Sequence, residues 1–278
     1  MRRKGINTMS SKWISKTVMI TLLTTMFLVF MISGCSKEKE IRDKIGIIGA
    51  MDEEVESLKK EVANIKVTSI AGMEFYEGTL DGTEVVIVKC GMGKVNAGSC
   101  AQLVINTFGA KKVINTGVAG SLDAKIDIGD IVVSTDAVQY DFDLSPIGYE
   151  KGQLDGMESS SLQADEGMRK NAVNAVKECA PEISVFEGRV CTGDQFVASD
   201  DQKKAITTEF GGLCCEMEGG AIAQICRQNN IPFVIVRAIS DKADGSAEMS
   251  YTEFEHKAAK HCASIVRYMI SNSAVISN

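Results

Sequence analysis

The chain has 278 residues, 45% of them hydrophobic and 24% charged, with three prolines. That balance excludes a disordered or low-complexity chain and supplies enough apolar surface for one full core. Lys and Arg number 30 against 37 Asp and Glu, a net charge of −7, and two histidines are all there is for imidazole chemistry.

In chain order the first feature is a leader. Residues 1–16 carry Arg2, Arg3, Lys4, Lys12 and Lys16 and no acid, and Thr17 to Ser36 carry no charge. A basic start, an apolar middle and small residues before a cut site describe a secretory signal peptide over residues 1–34. Ile32-Ser33-Gly34-Cys35 resembles a bacterial lipobox, which implies that the Cys35 thiol takes a diacylglycerol and tethers an exported body to the membrane. The alternative is an uncleaved anchor, since about 20 uncharged residues span a bilayer. Residues 35–43 read as a charged spacer, 44–271 as the folded domain and 272–278 as a tail. Cleavage before Cys35 removes five Lys/Arg and no acid, so the net charge moves from −7 to −12. A body that acidic is not expected to bind nucleic acid.

The folded part alternates strands and helices. Lys44–Ile48 is a short apolar run ending at Gly49, a buried strand. Asp52–Val62 places Val55, Leu58 and Val62 at helical spacing behind a first turn of acids. Phe75–Leu80 and Glu84–Lys89 flank Asp81-Gly82, a hairpin signal. Helices are expected at Ala97–Phe108, Leu162–Cys179, Glu216–Asn229 and Thr252–Ile270, and strands at Lys112–Asn115, Ile131–Ser134, Phe186–Cys191 and Phe233–Ala238. This alternation predicts a single α/β domain with a central mixed, mostly parallel sheet flanked by helices.

Several chemistries drop out. Besides Cys35 there are eight cysteines, with no C-x-x-C pair, and His256 and His261 lie five apart, on different faces of a helix. No metal site and no Cys-His nucleophile are expected. Gly91-Met92-Gly93 lacks the third glycine of a dinucleotide fingerprint, and neither a Walker loop nor a G-x-S-x-G elbow occurs. In open α/β sheets ligands bind beyond the carboxyl ends of the strands. Here those ends read Gly49-Ala50-Met51-Asp52-Glu53-Glu54, Asn115-Thr116-Gly117-Val118-Ala119-Gly120, Thr192-Gly193-Asp194-Gln195-Phe196-Val197 and Arg237-Ala238-Ile239-Ser240-Asp241, with Cys215-Glu216-Met217-Glu218 opening a helix. A carboxylate-rich site without metal suits glycosidic cleavage, which needs an acid for the leaving group and a base for water.

The blocks KIGIIGAMDEEV, NTGVAGSL, GDIVVS, TGDQF, EMEGGAIA and VRAISD, in that order, closely resemble the 5′-methylthioadenosine/S-adenosylhomocysteine nucleosidases, over about Lys44 to Ile270. The resemblance implies the nucleoside phosphorylase-like fold, hydrolysis of a nucleoside thioether by water, a homodimer and no cofactor. It implies Asp241 as the acid that protonates adenine N7, Glu54 as the group that activates water and Glu218 as the clamp on the ribose hydroxyls. Met217 would pack on the ribose, Arg237 would support the water and the carboxylates, and Phe196 would stack on adenine beside the Val197 backbone. Met51, Phe75 and Tyr251 match pocket positions around the ribose and 5′-thio group; Val118, Ala119, Gly120 and Ser240 complete the binding set. Leu144, Ile147 and Tyr149 match a segment that the partner subunit lends. A neutral Asp241 needs burial, and Lys242 beside it is expected to turn its amine away. Glu54, in a helix's first turn, is expected to favour the ionised form of a base.

The sequence departs from the family in places. Val118 stands where many members carry serine, and Gly219-Gly220 replaces a usual alanine pair, a cost of about 1 kcal/mol per glycine to the helix start. The family is typically cytoplasmic, whereas the leader implies export. Two other readings remain: a phosphorylase of the same fold, against which the acidic Asp52-Glu53-Glu54 run argues, and a non-catalytic nucleoside-binding lipoprotein.

Overall fold

The runs Ile45–Gly49 (β1), Lys112–Ser121 (β5) and Phe233–Asp241 (β10) are buried along almost their whole lengths, as strands covered on both faces must be. They belong to a computed structural model that describes residues 43–272. The leader, the Cys35 lipidation site and nearly all of the spacer and tail lie outside the described residues. Among the described residues no helix is long and apolar enough to cross a membrane.

The other strands are Ala63–Ile70 (β2), Met73–Leu80 (β3), Thr83–Lys89 (β4), Ile131–Gln139 (β6), Leu162–Gln163 (β7), Val185–Thr192 (β8) and Cys214–Glu216 (β9). The helices are Asp52–Glu61 (α1), Lys94–Asn106 (α2), Glu166–Cys179 (α3), Asp200–Phe210 (α4), Gly219–Gln228 (α5) and Ala247–Ser271 (α6). One mixed sheet runs β10-β6-β8-β9-β5-β1-β4-β3-β2, and β10 pairs β5 as well, so β5, β10, β6, β8 and β9 close on themselves. The pairings of β1 with β4 and β5, and of β5 with β10, are parallel. The hairpin β3–β4 turns at Asp81 and Gly82, both at positive φ (47° and 80°), the geometry that a two-residue turn between right-twisted strands requires.

One apolar layer packs α2 and α5 on the sheet through residues such as Val104, Ile222 and Cys226. The other packs α1, α3 and α6 through Val55, Leu58, Val176 and Val266. The expected helix over Leu162–Cys179 is shorter: Asp165 caps it by accepting from the Met168 N–H at 2.8 Å, and Leu162 pairs with Ala137 as strand. Likewise Glu216–Asn229 is a helix only from Gly219, because Cys214–Glu216 pairs with β5 and β8. The strands β5, β6 and β10 run further than their apolar cores foretell, which carries Val118–Gly120 and Ser240–Asp241 inside strands.

Candidate active site

The carboxyl ends of β1, β5, β9 and β10 surround a cavity of about 260 Å³ whose charged lining is Glu54, Glu216, Glu218, Asp241 and Arg237. Each is buried to within a few per cent, so each must find its partners inside the protein.

Glu54 sits in the first turn of α1 and reaches back over the helix start. Its Oε2 accepts from the N–H groups of Ala50 (2.6 Å) and Met51 (3.1 Å), and its Oε1 from that of Val118 on β5 (3.1 Å). Gly117 makes room for this: a Cβ there would overlap both the Glu54 carboxylate and the Arg237 guanidinium. The ionised form that the first turn was expected to favour is opposed by the surroundings. Burial raises the Glu54 pKa, and Arg237 and the three N–H groups pull against that rise.

Asp241 ends β10. Its Oδ1 accepts from the Ala243 N–H at 2.8 Å and its Oδ2 from the Ser240 hydroxyl at 2.9 Å. Burial raises its pKa, with those two donors acting in the opposite sense. The Lys242 amine does turn away, donating to the Ile126 carbonyl (2.6 Å) and pairing with Asp127 (2.7 Å). An aspartic acid held this way can keep a proton that a solvated one would lose.

Glu218 follows β9. Its Oε1 accepts from the Gly93 N–H at 2.9 Å, and its Oε2 lies 3.5 Å from Arg237 Nη2. Burial first, then the neighbouring Glu216 charge, outweigh Arg237 and push it up to about 7. Arg237 is anchored through both terminal nitrogens: Nη2 donates to Asn115 Oδ1 (2.6 Å) and pairs closely with Glu216, and Nη1 donates to the Val118 carbonyl (3.2 Å). Burial alone would weaken its charge; Glu216, Glu218 and Glu54 reverse that and hold it firmly protonated.

Mostly apolar groups form the rest of the wall. Met51, Val118, Ala119, Gly120, Phe196, Val197, Met217, Ser240 and Tyr251 all line the cavity. The Phe196 and Tyr251 rings meet edge to face with centroids 5.5 Å apart, and the Tyr251 hydroxyl donates to the Met51 sulfur at 3.0 Å. Phe75 does not reach the cavity: its ring is fully buried and stacked on Phe108 with centroids 4.4 Å apart. A strand with one face on the core points it there, and that packing overrides the expected pocket position. Leu144, Ile147 and Tyr149 also lie off this cavity, around an exposed 3-10 turn at Ser145–Ile147. Ala50, Gln195, Cys215 and Glu216, which the sequence placed at strand ends without a role, and Met92 also line the wall. For Glu216 a signal existed: two acids spaced by one residue at a strand end share a face.

The arrangement can protonate a leaving group at Asp241, hold hydroxyls at Glu218 and orient a water at Glu54. Among the described residues no cluster suited to a metal ion occurs.

The fold and this carboxylate-lined pocket place the chain in a known class. The phosphorylase superfamily model matches residues 44–271, and the chain belongs to that superfamily. Within it, the chain is 42% identical over 233 residues to the 5′-methylthioadenosine/S-adenosylhomocysteine nucleosidase of Psychromonas ingrahamii, covering 82% of this chain and 99% of the relative. It is 41% identical over 228 residues to the enzyme of the same name from Anoxybacillus flavithermus, covering 82% and 97%. Among solved structures, the Neisseria meningitidis nucleosidase in complex with methylthio-immucillin-A superposes with a TM-score of 0.80 at 35% identity, covering 83% of this chain and 99% of that one. A futalosine hydrolase of Helicobacter pylori superposes with a TM-score of 0.78 at 32% identity, covering 83% and 98%.

Proposed function

We infer that the chain is an N-glycosyl hydrolase that cleaves 5′-methylthioadenosine and S-adenosylhomocysteine to adenine and the 5′-substituted ribose. The observation that carries this is the convergence of Asp241, Glu54 and Glu218 on one cavity, with burial raising the pKa of each. Asp241 donates a proton to the departing base, which develops negative charge as the glycosidic bond lengthens. Glu218 accepts from the ribose hydroxyls. Glu54, once ionised, takes a proton from the water that attacks the sugar carbon.

Water rather than phosphate is the second reactant. Four carboxyl groups and one guanidinium line the pocket, and the guanidinium is already paired with Glu216. A phosphate dianion would meet net negative charge with no free arginine to clamp it. Incubation of the full-length protein in mild detergent with methylthioadenosine, with and without phosphate, tests this. Adenine release independent of phosphate is expected, and strict phosphate dependence would make it a phosphorylase. Supplying S-adenosylhomocysteine, 5′-deoxyadenosine and futalosine in parallel ranks the 5′ substituents.

Two further properties are proposed with this activity. Cys35 carries a diacylglycerol anchor, a reading supported by the basic start, the uncharged run and the Ser33-Gly34-Cys35 order. Radiolabelled palmitate should enter the parent and not Cys35→Ser. The exposed segment with Leu144, Ile147 and Tyr149 completes the cavity of a second copy in a homodimer. Sedimentation should give twice the chain mass, and Ile147→Asp should lower it.

A further inference from the structure

The most heavily bonded carboxylate of the pocket has no part in the chemistry just described. Glu216, at the end of β9, accepts the Glu218 N–H (3.0 Å), the Gly219 N–H (2.7 Å) and Arg237 Nη2 on Oε2, and the Thr192 hydroxyl on Oε1. Thr192 in turn accepts the Gly220 N–H at 2.7 Å. Three successive N–H groups at the start of α5 therefore end on Glu216 directly or through one hydroxyl. An anion there meets the positive end of the helix as well as the guanidinium.

Arg237 is the cation of a cavity whose other charged groups are acids. Left without Glu216, it would settle on the nearest carboxylate that remained. That is Glu218, whose Oε2 already lies 3.5 Å away. A close Arg237–Glu218 pair would use up the oxygens meant for the ribose and drag Glu218 off the Gly93 N–H. We propose that Glu216 is a positioning residue: it is the permanent counter-ion of Arg237, and by holding that guanidinium it leaves Glu218 open to the substrate hydroxyls and Glu54 open to water. The proposal rests on the hydrolase reading for its chemistry, but its electrostatics can be tested without turnover.

Glu218 faces Arg237 from β10, Glu216 from β9, Glu54 from α1 and the Cys90 thiol from the loop after β4. Removing only the Glu216 charge leaves the cation dominant among these. Glu216→Gln keeps the shape and removes the charge; Glu216→Asp keeps the charge. In Glu216→Gln we expect kcat/KM to fall by about 100-fold through displaced groups. The midpoint of its acid limb should move down by about one unit or more as Arg237 closes on Glu218. Glu216→Asp should restore the parent's limb even if it melts earlier. Binding of formycin A, an adenosine C-nucleoside that cannot be cleaved in this way, should weaken in Glu216→Gln with the same shift in pH dependence. A Glu216→Gln variant that melts earlier but keeps the parent's pH profile and affinity would reduce Glu216 to a helix cap and overturn the proposal. If Glu216→Gln fails to fold, a displaced limb in Glu216→Asp overturns it and an undisplaced one upholds it. A parent that binds formycin A but releases no adenine refutes the hydrolase reading alone, and the binding profiles still decide the role of Glu216.

Discussion

One added methyl group should disable the site. Gly117 lies on β5 opposite Arg237 on β10, and a Cβ on it would overlap the Arg237 Nη1 and Glu54 Oε1 atoms together. Neither group can swing into solvent, since both are 1% exposed. Glu54 is tied by three N–H bonds and Arg237 by Asn115, Glu216 and the Val118 carbonyl. Relief therefore means breaking a charge-assisted hydrogen bond, about 1.5–3 kcal/mol, or overpacking the strand pair, about 1–3 kcal/mol. The smaller unfolded-state entropy of alanine returns about 0.4–1 kcal/mol. The balance for Gly117→Ala is a loss of up to about 2.5 kcal/mol, which lowers the melting temperature by up to roughly 10 °C for a domain of this size. Activity should fall further than stability, because a displacement of about 1 Å in the group that orients water costs on the order of 100-fold. Adenine release measured at 15 °C, far below either transition, separates the two effects. A folded Gly117→Ala protein within threefold of the parent kcat/KM would refute the close placement of Glu54 and Arg237 over this glycine.

Asp241→Asn keeps an acceptor for the Ala243 N–H and a donor for the Ser240 hydroxyl, so it should fold as the parent does and lose about 10²–10⁴ in kcat; a loss under tenfold would remove Asp241 as the acid. The pH profile of kcat/KM should fall on the acid side with a midpoint near 7, as Glu218, pushed up to about 7, takes its proton, and on the alkaline side as Asp241 gives its proton up. A profile flat from pH 5.5 to 7.5, or an alkaline limb that survives Asp241→Asn, would contradict those assignments. Gly220→Ala gains about 1 kcal/mol of helix propensity, but its Cβ would stand 2.9 Å from both Gln139 Cγ and Thr192 Cβ. Urea unfolding should show a net loss of about 0.5–2 kcal/mol, and a stabilised variant would show that the wall yields.

Much of the fold was legible because its central strands each contain a short apolar run, Ile45–Ile48 in β1, Val113–Ile114 in β5, Ile131–Val133 in β6 and Phe233–Val236 in β10. The parts that escaped contribute little to the core. Strand β2 is the sheet edge: Ala63, Ile65 and Val67 alternate with Asn64, Lys66 and Thr68, a short strand signal that went unread, and Ile65 and Val67 stay 46% and 45% exposed. Helix α4 buries only Ile206, and what starts it is a cap, the Ser199 hydroxyl accepting from the Gln202 N–H. The reverse error occurred at Leu162, where an apolar residue in helical phase with α3 belongs to a strand. In the site, residues at strand ends were readable from the rule that ligands gather there. Phe75 was not, because one aromatic in a strand fits a pocket or a core equally well until its stack on Phe108 is seen.

The pocket also shows why burial by itself assigns no roles. Glu54, Asp241 and Glu218 are all raised, and desolvation is the first cause each time. What separates them is the donors each one meets. Asp241 has one backbone N–H and one hydroxyl, and Arg237 does not reach it, so the proton it holds is the least opposed. Glu54 has three N–H donors and the field of Arg237, each favouring the anion. Glu218 lies between, with one N–H and a guanidinium nitrogen of Arg237 3.5 Å away. Carboxyl groups in one desolvated cavity are thus pushed apart in character by where a single arginine is held. Glu216, which bears none of the chemistry, holds that arginine closely.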